Sequence, residues 1–151
     1  MASIRRTLTR TGNRFGVWTY RTLNGRWSSG RRDVTVLMIT TPGRRTGIPR
    51  TTCVRYLDTP DGYIVWGTGS GSLRDPDWFE NLRAAPTAEV QVMARHSTLH
   101  RRELIGQERD TMWSQVILAA APEVARYARK AGRTIPVALL QPLDGADHRS
   151  R

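Results

Sequence analysis

Apolar and polar positions alternate along this chain in short blocks. Val34–Thr40 is an apolar, β-branched run that reads as a buried strand. Thr41–Pro49 carries Pro, Gly, Gly and Pro and reads as a loop, and Arg50–Leu57 as a second strand. Asp58-Thr59-Pro60-Asp61-Gly62 is a turn signal, and Tyr63–Gly67 returns to complete a hairpin. Thr68–Leu73 is Gly/Ser-rich. A helix follows, with Asp75 as N-cap, Pro76 in the first position, acids in the first turn and an end near Ala85-Pro86. Ala88–Met93 and Thr98–Leu104, flanking Arg95-His96-Ser97, form a second hairpin. From about Gln107 the pattern turns helical, with Met112, Val116, Ala120, Trp113 and Ile117 as a core stripe. Pro122 perturbs this helix and Gly132 lies past its end. Ile135–Gln141 is a last strand.

Ahead of these blocks, residues 3–24 read as a basic amphipathic helix. Its stripe of Ile4, Leu8, Phe15, Trp18 and Leu23 is imperfect, and Gly12 and Gly16 weaken it. Strands joined as hairpins, with helices between them, argue for an antiparallel sheet or small barrel with helices outside, and against a doubly wound parallel sheet.

Length and charge sharpen this picture. The chain has 151 residues, the size of one domain. No apolar run is long enough to span a bilayer, and the Arg-rich start lacks a secretory h-region. Cys53 is the only cysteine, which excludes an intramolecular disulfide or a thiolate cluster and suits a reducing cytoplasm. The formal net charge is +11, and Lys130 is the only lysine beside 23 arginines. All of the excess lies up to Leu57, where 12 arginines face one acid, Asp33. Arginine is the residue for bidentate grip on phosphate and carboxylate, so an anionic partner is expected: a cofactor tail, nucleic acid or an acidic membrane surface.

Two segments can carry such chemistry. Thr40 through Thr52 contains Gly43-Arg44-Arg45-Thr46-Gly47 and Arg50. Its glycines allow a turn that presents successive N–H groups to an anion, and its arginines and threonines add donors. It is neither a P-loop nor a Rossmann turn. From spacing alone it is either an anion grip or a basic hairpin loop. Gly67-Thr68-Gly69-Ser70-Gly71-Ser72 precedes a capped helix, which favours negative charge, or else it is a plain connector. Trp78 follows it and either joins the core or walls a planar ring. His96, His100 and His148 lack metal-ligand spacing, no serine sits in a nucleophile elbow, and Cys53 has no evident base. Any chemistry is therefore expected from a cofactor.

Three stretches carry a resemblance. Thr40–Arg50 resembles a Thr-Thr-x-Gly-Arg-Lys/Arg-Ser/Thr-Gly-x-x-Arg signature. Asp75–Pro86 resembles a Pro-x-Trp-x-x-Asn-Leu-x-Ala-x-Pro helix. Tyr127 through Val137 resembles a closing Tyr-x-x-x-x-x-Arg-x-Ile-Pro-Val segment. All three belong to the deazaflavin (coenzyme F420)-dependent nitroreductase and quinone reductase family of actinobacteria. The resemblance implies an α+β split β-barrel, FMN-binding-like, of about six mostly antiparallel strands with three helices packed outside. Residues 1–30 would be the basic helix and loop, residues 31–143 the cofactor-binding domain, and residues 144–151 a disordered tail.

It also implies a hydride transfer from reduced coenzyme F420 to a planar acceptor such as a quinone, nitroaromatic or enone; FMN is the second choice of cofactor. Arg44, Arg45, Thr46, Gly47 and Arg50 would hold the phosphate and acidic tail. Cys53 and Val54 would line the ring through backbone groups, and Thr68, Gly69, Ser70, Gly71 and Trp78 would border it. Trp18, Tyr20, Val124 and Tyr127 would border the acceptor, with Tyr127 as candidate proton donor or a core tyrosine. The chain departs from the family pattern at Cys53-Val54, where Pro-Leu is common, at Arg55 and at Val124. A cofactor-binding protein with a non-redox or biosynthetic role, and a basic membrane or nucleic-acid binder, stand as alternatives. No reader motif for nucleic acid is present. The expected enzyme is cytoplasmic, monomeric or homodimeric, with peripheral membrane contact through the N-terminal helix.

Overall fold

The computed structural model describes residues 35–143. The helix expected over residues 3–24 and the tail from Asp144 lie outside them. Six strands form the frame: β1 (Val36–Pro42), β2 (Pro49–Thr59), β3 (Gly62–Trp66), β4 (Thr87–Val92), β5 (Arg95–Leu104) and β6 (Val137–Pro142). Every pairing is antiparallel, and β1 pairs with β4 to close the order β1-β2-β3-β6-β5-β4 into a barrel. This is the α+β split-barrel architecture expected from the sequence.

Alternation along the strands sorts the core. Leu37, Ile39, Val54, Tyr56, Val65, Val90, Leu99 and Leu140 fill the interior. β3 and β6 are buried on both faces, which explains their unbroken apolar runs. Their outer side chains, Ile64, Trp66, Val137 and Leu139, form a second cluster with Ile117, Ala121, Val124 and Ala131 of the helices. Where β3 begins, Gly62 admits no side chain: a Cβ there would lie 2.1 Å from the Leu140 carbonyl oxygen.

Helix α1 (Asp77–Arg83) connects β3 to β4, and its Phe79 and Leu82 join the interior cluster. After β5 come α2 (Gly106–Thr111), a π-helical turn (Met112–Ile117), the short α3 (Leu118–Ala120) and α4 (Val124–Ala131). α4 ends at Gly132, which takes the left-handed conformation expected of a C-terminal glycine.

Three local expectations are corrected. Pro76, not Asp75, occupies the N-cap position of α1, and no side chain caps it. The Asp75 carboxylate is instead engaged by Arg83 and Arg133, two charge-assisted partners stronger than one backbone amide. The second hairpin turns at Met93-Ala94 and not at Arg95-His96-Ser97, because Val92 pairs directly with Arg95. Met93 adopts φ 53°, a role for which glycine or asparagine is the usual signal. The stripe of Met112, Val116 and Ala120 is broken by the π turn, whose extra residue advances the phase. Ile117 and Ala121 are buried, while Ala120 is exposed.

Candidate active site

Two loops meet α1. The first, Gly43–Ile48, joins β1 to β2. It closes on itself: the Gly43 amide donates to the Ile48 carbonyl at 2.8 Å and the Gly47 amide to the Gly43 carbonyl at 2.7 Å. The Ile48 amide donates to Thr46 Oγ1 at 3.2 Å, and the Arg44 amide to Asn81 Oδ1 at 3.1 Å. Most of the loop's amides are thus committed inside the protein. The donors this loop can offer outward are therefore mainly side chains.

Those side chains divide. Arg44 folds back on α1, where a terminal nitrogen donates to Asn81 Oδ1 at 2.9 Å and the guanidinium pairs with Asp77 at 3.3 Å. Asn81 is 7% exposed, so its carbonyl oxygen is a buried acceptor that Arg44 satisfies twice. Arg45 and Arg50 are exposed, and neither guanidinium has a partner among the described residues. These two cations suit phosphate and carboxylate oxygens, whereas the Thr51 hydroxyl is paired with Thr40 Oγ1 at 2.8 Å. On the same strand Val54 is buried in the interior cluster, while Cys53 is half-buried against Met38.

The second loop, Gly67–Arg74, joins β3 to α1. Gly69, Ser70 and Gly71 all have positive φ, at 54°, 55° and 83°. Gly71 rests on the Lys130 stem, where a Cβ would meet Lys130 Cδ at 2.7 Å. Arg133, just past the end of α4, donates to the carbonyls of Gly67, Thr68, Ser72 and Arg74. This lacing makes the loop a shaped element and not a plain connector. Asp75 ties Arg133 to Arg83, which also pairs with Glu80 and Glu103. Hydrogen bonding to Glu103 and then to Asp75 holds the Arg83 guanidinium well above the usual arginine range. The cluster is a permanent ionic clamp joining loop, helix and β5.

Trp78 is half-buried, packs on the interior cluster and meets the Phe79 ring edge-on at 5.3 Å. Tyr127 lies on α4 one turn before Lys130, so it shares the helix face that supports Gly71. It is not a core residue: it is half-buried, its hydroxyl accepts from Arg126 at 2.9 Å, and the Arg126 guanidinium sits over its ring. Val124 is 2% exposed and its side chain packs into the second core cluster. Arg55 joins β2 to the start of α4 through Glu123 at 2.7 Å. Trp18 and Tyr20 lie outside the described residues.

Sequence reasoning passed over the structural weight of Asn81, Asp75, Arg83 and Arg133 around the two loops. Asn81 had a signal, a polar residue between the apolar Phe79 and Leu82 of α1. The partners of Arg133 are 58 to 66 positions away, beyond any local pattern. Guanidinium, hydroxyl and amide donors around two loops fit an elongated anionic ligand. Among the described residues, no group of three His, Cys, Asp or Glu side chains could hold a metal ion, and no helix is long and apolar enough to cross a membrane.

Comparison with known proteins agrees with this geometry. A family model described as F420H(2)-dependent quinone reductase matches residues 12–142. The F420H(2)-dependent quinone reductase of Mycobacterium tuberculosis is 30% identical over 106 residues, covering 69% of this chain and 71% of that protein. The solved structure of an F420-H2 dependent reductase superposes with a TM-score of 0.63 at 28% identity, covering 76% of this chain and all 100% of that one. Another, described as a domain-swapped dimer, gives a TM-score of 0.65 at 26% identity, covering 93% and 98%.

Proposed function

The chain belongs to the F420H(2)-dependent quinone reductase family, and from this premise we propose how its own residues bind the cofactor and reduce the acceptor. The enzyme is an oxidoreductase that uses coenzyme F420 to reduce a small-molecule quinone. The bound, reduced deazaflavin supplies the hydride. Arg45 and Arg50 hold the phosphate and glutamate tail, with Thr46 and Gly47 completing the turn. Arg44 anchors that turn to α1 and sets where the Arg45 and Arg50 guanidiniums stand. Thr68–Gly71, Trp78 and the backbone at Cys53-Val54 border the ring and exclude water from one side. Tyr127, with Trp18 and Tyr20, borders the acceptor, and the Tyr127 hydroxyl delivers a proton to the acceptor oxygen.

One observation carries this reading: two arginines without partners among the described residues flank a turn that a buried asparagine fixes in place. Titration with oxidised F420, followed by fluorescence, tests it. Micromolar binding is expected, and binding no tighter than millimolar contradicts it. Tyr127→Phe is expected to lower kcat on a quinone by roughly ten- to a hundredfold with cofactor affinity unchanged; an unchanged kcat removes Tyr127 from the mechanism. We further place the enzyme in the cytoplasm, as a monomer or homodimer, with peripheral membrane contact through its basic N-terminal residues. Sedimentation with and without anionic vesicles tests the oligomeric state and the membrane contact, and a protein that ignores the vesicles at low salt contradicts the membrane contact.

A further inference from the structure

A single side chain shapes the Gly67–Arg74 loop from behind. Arg133 donates from Nε to the Ser72 carbonyl at 3.0 Å. One terminal nitrogen reaches the carbonyls of Gly67 at 3.2 Å, Thr68 at 3.3 Å and Arg74 at 2.9 Å. The other terminal nitrogen is held by Asp75, whose second oxygen accepts from Arg83 at 3.1 Å. The guanidinium is therefore fixed before any ligand arrives.

Successive carbonyls of an extended chain point to opposite sides. Those of Gly67 and Thr68 instead converge on one nitrogen. In a trans peptide plane, the C=O of one residue and the N–H of the next point in opposite directions, and no cis peptide occurs among the described residues. The amides of Thr68 and Gly69 are thus turned away from Arg133, toward the opposite side of the loop. Three amides of the loop are committed within the fold: Gly67 to Pro136, Gly71 to Thr68 and Ser72 to Gly69. Among the described residues, the Thr68, Gly69 and Ser70 amides have no acceptor, and the first two are the ones whose peptide carbonyls Arg133 holds.

We infer that Arg133 is a positioning residue: by drawing in the loop's carbonyls, it turns the Thr68 and Gly69 amides outward as donors to the polar edge of the bound deazaflavin ring. Preset donors stabilise negative charge that develops on the ring's carbonyl oxygens without reorganising. Arg133 itself does not touch the ligand, which separates it from Arg45 and Arg50. The inference rests on the cofactor reading above.

Its test uses oxidised F420 with the wild type, Arg133→Lys and Arg133→Leu, each checked for native circular dichroism. Two readouts are followed: the dissociation constant, and the absorption band of the cofactor at saturation, which reports hydrogen bonds to the ring. Losing two amide bonds is expected to weaken binding by roughly 5- to 30-fold in Arg133→Leu and to return the saturated band toward that of free cofactor. Arg133→Lys, able to serve only some of the carbonyls, should fall between. If Arg133→Leu does not fold, the folded lysine variant decides by the same readouts. Wild-type affinity and wild-type band in the folded variants would overturn the positioning role and leave the cofactor reading intact. Failure of the wild type to bind would overturn both.

Discussion

The two loops that meet α1 are each organised by one arginine, but in opposite senses. In Gly43–Ile48 the organising residue, Arg44, belongs to the loop and reaches out to Asn81 and Asp77 on the helix. In Gly67–Arg74 the organising residue, Arg133, comes from outside and reaches in to four carbonyls. The first arrangement consumes amides and leaves the Arg45 and Arg50 side chains without partners among the described residues. The second consumes carbonyls and leaves amides without acceptors among the described residues. One loop is thereby suited to full negative charges, such as phosphate and carboxylate. The other is suited to the partial charge of a ring carbonyl.

The comparison can be broken first at the free cations. Arg45→Ala with Arg50→Ala should weaken F420 binding by roughly a hundredfold or more, at about tenfold for each charge-assisted contact, while the unfolding midpoint stays put. Unchanged affinity in calorimetry would show that these arginines are only a solvated face. Gly71→Val is expected to act on the other loop, costing about 2 kcal/mol of folding stability in urea titration, because φ is +83° and Lys130 fills the Cβ position. Stability like that of the wild type would mean the loop is free to move. Asn81→Ala should cost about 1 to 2 kcal/mol, since it strands the Arg44 amide, and should weaken the cofactor only a few-fold. A loss of binding as large as that of the double arginine variant would make Arg44 a direct ligand.

The smallest effect concerns a residue in neither loop. Burial raises the pKa of Tyr63 above its ordinary value of 10.0, with Arg95 opposing. The folded state thus favours the neutral phenol. Its contribution is fully present below pH 10 and is lost as pH rises through the higher folded value. Tyr63→Phe should flatten the fall of stability above about pH 10, read from urea midpoints, and leave cofactor binding unchanged. An identical fall in both proteins would show that Tyr63 does not contribute.

Much of this comparison was legible in the chain. Period-two alternation and turn residues marked the strands, and the pile-up of arginines before Leu57 marked an anion partner. The resemblance over three separated motifs fixed the fold, since those motifs bring the same elements together. What stayed hidden depended on contacts far apart in sequence. Nothing local says that Arg44 is an anchor and Arg45 a free cation, because adjacent arginines look alike until Asn81, 37 positions on, selects one. The Met93-Ala94 turn was missed because its conformation is imposed by strand register and not by a glycine. The π turn at Met112–Ile117 was missed because an apolar stripe read at 3.6 residues per turn cannot register one inserted residue.

The central claim is that both loops hold one ligand, charge on one side and ring on the other. Its most direct test is a single titration of isotope-labelled protein with oxidised F420, observed by NMR. The side-chain signals of Arg45 and Arg50 and the amides of Thr68 and Gly69 should shift together, with one common midpoint. Shifts confined to one loop, or two separate midpoints, would contradict it.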